Sequence, residues 1–218
     1  MEKLIEKLKN PFDGLRANDA EEFQRKCTEI AKVLLTEYCI ECGNKLYHLA
    51  EVEFYYYEKG RWDNDWNEKT YPRKGKSAGD FFFHYSGVDI CFDSFYDKDK
   101  SKFGGILIRS LKDSNGKFIT GPSVCSLEIM NTCLEQKVLP NIKLTSNEGC
   151  KVCKEPITRY GIEYKDHQED KHLCFYDERI KDHLKNEFDD ASWDFGVNKE
   201  GQVKGLKKLI RYYHRFDQ

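Results

Sequence analysis

The spacing of hydrophobic positions along this 218-residue chain alternates between helical and extended periods. Glu2 to Lys9 reads as a short helix that must stop before Asn10-Pro11, because the proline ring disfavours a helical residue ahead of it. Phe23, Cys27, Ile30, Ala31 and Leu34 then recur at steps of three and four, which predicts a second helix with one buried face, capped by Asn18 or Asp19. Lys45 to Tyr57 is dense in aromatic and β-branched residues and follows Gly43-Asn44, so it predicts a strand entered from a hairpin. A polar stretch with Trp62, Trp66, Pro72 and Gly75 reads as a long loop. Phe81–Ser86 and Val88–Ser94 flank Gly87 as two short strands, Gly105–Leu111 forms another, and Asp113-Ser114-Asn115-Gly116 is a turn.

After Gly121-Pro122, Ser123 is placed to cap a helix carrying Val124, Leu127, Met130 and Leu134 on one face and ending before Pro140. His172–Tyr176 is a candidate strand and Ile180–Phe188 a short helix, while Leu206, Leu209, Ile210 and Tyr213 mark a terminal helix. Helix, several strands, helix, strand, helices is not the rhythm of βαβ repeats. It predicts an α+β fold: a single domain over residues 1–218 with a curved, mostly antiparallel β-sheet flanked by helices. Residues 1–19 read as an N-terminal extension and 195–218 as a C-terminal helical extension.

Composition narrows the class. Charged residues make up 34% and hydrophobic ones 39%, with 14 Phe and 13 Tyr, which is globular rather than disordered. No run approaches the roughly 20 apolar residues that cross a bilayer, and the charged start lacks a secretory apolar core. A cytoplasmic, unexported monomer with no membrane partner is expected, and its nine cysteines are expected to be reduced. The formal net charge of −2 withholds the overall basic signature of a duplex-DNA binder. Local basic runs at Arg73-Lys74-Gly75-Lys76 and Lys204 to Arg215 could still form a local patch for nucleic acid, but such runs are more commonly solvated faces of mixed charge.

Four segments, in order, resemble landmarks of the 3-methyladenine (alkyladenine) DNA glycosylase family. Leu49-Ala50-Glu51-Val52-Glu53-Phe54-Tyr55 is similar to the family's strand with a water-activating glutamate and a base-stacking tyrosine. Ile106-Leu107-Ile108-Arg109-Ser110-Leu111 resembles its Leu-Leu-Arg-Ala-Leu strand, and Gly121-Pro122-Ser123 its Gly-Pro helix start. Thr158-Arg159-Tyr160-Gly161-Ile162 and Leu173-Cys174-Phe175-Tyr176 resemble the pair near the family's end. The resemblance spans about residues 28 to 180. It implies a glycosylase-like fold, base excision of a modified purine, no cofactor, and a partner that is nucleic acid (DNA, duplex or single-stranded) or a modified nucleotide. Asp89 stands near the family's wedge tyrosine and is expected to face phosphates instead of filling a base stack. The family's loop histidine has no counterpart between Glu58 and Gly79, and its late asparagine appears as Asp93.

Purine N-glycosidic cleavage builds positive charge on the sugar, so it calls for a carboxylate that orients water and stabilises an oxocarbenium-like centre. Glu53 is the catalytic candidate, and Glu51, two residues earlier, shares its face of an extended strand. Close carboxylates raise each other's proton affinity unless a cation intervenes, and the resemblance implies that Arg109 lies on the neighbouring strand. Tyr55, with Tyr57 beyond it, offers an electron-rich face to an alkylated base. His84, Tyr85 and Arg159 complete the substrate-binding candidates. A separate constellation, Cys39-x-x-Cys42 with Cys150-x-x-Cys153, has the spacing of four zinc thiolates. Two other functions therefore stand beside the hydrolase: a non-catalytic nucleotide or small-ligand binder on the same fold, and a zinc-stabilised interaction module.

Overall fold

A computed structural model of the chain describes residues 2–15, 20–59, 72–85, 87–97, 101–135, 142–146, 160–167 and 170–177. These elements all fall in one compact unit, Met1–Asp177. The expected loop with Trp62 and Trp66 and the expected helices over 180–188 and 206–213 lie outside the described residues.

Helix α1 spans Glu2–Lys9 and turns Leu4 and Leu8, one helical turn apart, into the core. Helix α2 spans Ala20–Glu37, and its predicted face is buried from Phe23 through Leu34. Its outer face carries Arg25 paired with Glu22 and Glu29, exposed pairs that add little to stability. Strand β1, Tyr38–Cys42, follows without a gap. Gly43 turns it with a φ of 59°, where a side chain would be strained, and β2, Lys45–Glu58, runs back antiparallel with Cys42 opposite Lys45. The expected hairpin is thus present.

Strand β2 is the spine of the sheet. One edge pairs with β5, Lys102–Lys112, along most of its length. Its other edge is shared: β1 takes Lys45–His48, and β9, Asp170–Asp177, takes Glu51–Phe54. The edge of β5 facing away from β2 is shared too, between β4, Gly87–Cys91, and β6, Phe118–Thr120. Strands β3 (Phe81–His84), β7 (Ile142–Ser146) and β8 (Tyr160–His167) extend the sheet beside β4, β1 and β9. Among the described residues nine strands form one antiparallel sheet, so the molecule is α+β with a curved antiparallel sheet and a few helices.

A paired irregularity in β2 and β5 decides what faces where. Tyr47 and Leu49 point into the core, and then so do Val52, Phe54 and Tyr56, so the inward parity flips between Leu49 and Val52. The same flip occurs in β5 between Ile108 and Leu111. The register shows why: Leu49 faces Leu111, Glu51 faces Ser110 and Val52 faces Ile108, leaving Ala50 and Arg109 as extra residues on their respective strands. Two bulges at the same height cancel, so pairing resumes in step while the sheet twists and bends there. Beneath, Phe12, Phe23, Tyr56 and Phe92 interlock through edge and stacked contacts at 4.3–6.4 Å.

Helix α3 spans Pro122–Glu135, with proline at its first position, one residue ahead of the expected Ser123 start. Val124, Leu127, Met130 and Leu134 do share a face, but it is the solvent face. The buried side carries Cys125, Ile129, Thr132 and Cys133. Small side chains win the inner position because the helix closes on bulged backbone and on polar partners of β1 and β2. No helix among the described residues is long and apolar enough to cross a membrane.

Candidate functional site: a buried carboxylate face

Opposite the aromatic core, β2 presents Glu51, Glu53, Tyr55 and Tyr57. Glu53 is 1% exposed and Glu51 5%. Charges this deeply buried must be paired and hydrogen-bonded, and these are. Arg109 donates from Nη1 to Glu53 Oε2 at 2.5 Å and from Nε to Glu51 Oε1 at 3.2 Å, and Ser110 Oγ donates to Glu51 Oε2 at 2.8 Å. One guanidinium thus bridges two carboxylates.

The bulge makes this reach possible. As the extra residue of β5, Arg109 is released from the strict alternation that would send one of two consecutive polar side chains inward, so both Arg109 and Ser110 engage β2 carboxylates. Its carbonyl, lost to the ladder, accepts instead from Gly121 N at 2.8 Å and from Cys125 Sγ at 3.5 Å. The start of α3 therefore braces the arginine. Among the described residues the clamp sets two carboxylates against one guanidinium. Tyr55 and Tyr57 are half-buried, and Tyr57 stacks on Phe103 at 4.7 Å, which in turn stacks with Tyr96 at 5.9 Å.

No protein-family model, curated protein or solved structure matches this chain.

A second charged cluster lies on the same face. Asp89 of β4 sits opposite Leu107 of β5, which sits opposite Glu53. Asp89 was expected to face phosphates; it is 1% exposed, ion-paired with Arg73, and its Oδ1 lies 3.3 Å from His84 Nε2. Burial overturns that expectation, and it also removes Arg73, 2% exposed, from the solvated basic run predicted for residues 73–76. The guanidinium passes over Gly105, where a Cβ would come within 3.1 Å of Arg73 Nε, and its Cζ lies 5.6 Å from the Phe82 ring centroid. Neither Arg73 nor Ser110 was singled out from sequence. The signal that could have found Arg73 is the Gly104-Gly105 pair inside a strand, a mark of close approach by another group.

His84 stacks on Phe82 at 5.7 Å beside Asp89, three strands from Glu53. Tyr85 closes β3 at the β3–β4 hairpin and is 98% exposed. Arg159, Cys150 and Cys153 lie outside the described residues. Cys39 and Cys42 are three apart on β1 and so on opposite sides of an extended strand, with Cys42 Sγ 3.1 Å from Cys133 Sγ. Among the described residues no group of three or more His, Cys, Asp or Glu is placed to hold a metal.

Proposed function

We propose that this chain is a DNA glycosylase-like hydrolase that removes a modified, alkylated purine by hydrolysing its N-glycosidic bond, on a fold like that of the alkyladenine DNA glycosylases. The observation that carries the reading is the Glu51–Arg109–Glu53 clamp on a buried sheet face beside Tyr55. Arg109 fixes the orientation of both carboxylates, and Glu53 is the group that accepts a proton from water as that water attacks the sugar carbon. The carboxylate of Glu53 stabilises the positive sugar, and an alkylated base, already cationic, departs neutral without a proton donor. Tyr55 supplies a stacking face. Tyr85, exposed at a hairpin tip, is an aromatic available to fill the gap left by an extruded nucleotide, in place of the buried Asp89.

Glu53→Gln is expected to lower release of a modified purine by about 10²–10⁴-fold while binding persists, since it removes the base and keeps the bulk. Release is followed on single-stranded and duplex oligonucleotides. With a net charge of −2, binding to undamaged duplex is expected to be weak and to fall steeply with salt. A second reading, a non-catalytic binder of a modified nucleotide, is favoured by the engagement of both carboxylates with Arg109. No release of any alkylated purine by the wild-type chain from either substrate, with saturable binding of the free nucleoside by calorimetry, would decide for it.

A further inference from the structure

Nothing in the hydrolase reading uses the thiols beneath α3. Cys42 ends β1 and Cys133 sits in the last turn of α3, 91 residues away in sequence, yet their sulfurs are 3.1 Å apart. Cys42 Sγ also lies 3.6 Å from the carbonyl of Ile129, which aims it along the helix toward Cys133. Around them Tyr47 bonds Thr132 at 2.8 Å and Glu128 at 2.7 Å, so helix and hairpin are held in one register across this seam. A disulfide needs sulfurs about 2.05 Å apart, a closure of roughly 1 Å from where they stand.

We infer that Cys42 and Cys133 form a specific, reversible disulfide that cross-links β1 to α3 when the protein meets a peroxide. Cys42 is fully buried, whereas Cys133 is 8% exposed beside Leu134, itself 74% exposed near the helix end. Cys133 therefore meets the oxidant. Its sulfur attacks one peroxide oxygen, the O–O bond breaks, and the thiol becomes a sulfenic acid with release of water. The Cys42 sulfur then attacks the Cys133 sulfur; the S–S bond forms, the S–O bond breaks, and the leaving hydroxide departs as water with the Cys42 proton. Two thiols and one hydrogen peroxide give one disulfide and two waters. Burial and the neighbouring Cys133 push the Cys42 thiol up to about 12, so it stays protonated at rest and waits on the sulfenic acid. The cross-link would tie down the helix whose first turn braces the Arg109 carbonyl.

The test treats the full chain with stoichiometric hydrogen peroxide, alkylates the remaining thiols under denaturing conditions and maps the unreduced digest by mass spectrometry. Two of the nine thiols are expected to be lost, joined as one Cys42–Cys133 peptide pair, and dithiothreitol is expected to restore all nine. Cys39→Ala and Cys125→Ala, which change the cysteines sharing those tryptic peptides, should leave the cross-link in place, while Cys133→Ser should abolish it. Mapping of the wild-type chain decides the matter even if the Cys133→Ser variant fails to fold. A cross-link that survives Cys133→Ser, or sulfinic acid at Cys133 with no cross-link in the wild type, would overturn the assignment.

Discussion

At the scale of single residues, Arg109 is the side chain whose loss should matter most. Arg109→Leu would take the shared guanidinium away from two buried carboxylates, and removal of one partner from a buried ion pair costs about 3–5 kcal/mol. Ser110→Ala removes one hydrogen bond to Glu51 and should cost about 1 kcal/mol. Urea unfolding of the two variants checks the ordering, and an Arg109→Leu protein as stable as the wild type would mean that the clamp is not closed in solution. Asp89 is buried where it was expected to face phosphates, and Tyr85 is exposed at a hairpin end. A tyrosine at position 89 would displace a buried partner of Arg73 and should destabilise the fold by a similar amount, about 3–5 kcal/mol. Tyr85→Ser, at a side chain that is almost wholly exposed, should change stability by no more than about 0.5 kcal/mol. If Tyr85 fills the gap in a base stack, that variant should slow release from duplex more than from a single strand, and an equal effect on both would remove it from that role.

At the scale of elements, helix α3 separates what a local pattern can tell from what it cannot. A helix just after Gly121-Pro122 was legible, its start within a residue or two, because proline and the helical period act within a turn. Its orientation was not. The apolar stripe Val124, Leu127, Met130 and Leu134 has the spacing of a core face, but the sheet side must fit around the Arg109 carbonyl, Tyr47 and Cys42, which small and polar residues do better. Leu127→Lys should therefore leave the denaturation midpoint within about 0.5 kcal/mol of wild type, whereas Ile129→Ala should cost about 2–5 kcal/mol. The reverse order would return the stripe to the core. Helices α1 and α2 obey their patterns: Leu4 and Leu8 of α1 and the face of α2 from Phe23 to Leu34 are buried in the core.

At the scale of the whole molecule, buried thiols should give the fold an alkaline limit. Burial raises Cys91 and Cys125 from 9.0 to about 12, and pushes Tyr47 upward as well. In this range the folded state keeps protons that the unfolded chain releases, so ∂ΔG/∂pH is negative: the contribution is complete below about pH 9 and is lost as pH rises toward about 12. Urea midpoints under reducing conditions should fall between about pH 8 and about pH 11, less steeply for Cys91→Ala. A flat profile would show that these thiols open to water. By itself the sequence determined helices α1, α2 and α3, the central strands, the hairpin at Gly43, and that Glu51, Glu53 and Tyr55 share a face, since each depends on neighbours a few residues away. Only the tertiary structure decided that paired bulges flip the parity of β2 and β5, that Arg109 spans both carboxylates, that Arg73 crosses Gly105 to reach Asp89, and which side of α3 is inside. Those outcomes turn on contacts such as Arg109 to Glu51, 58 residues apart, and no local period carries the free energy of closing such a loop on one particular partner.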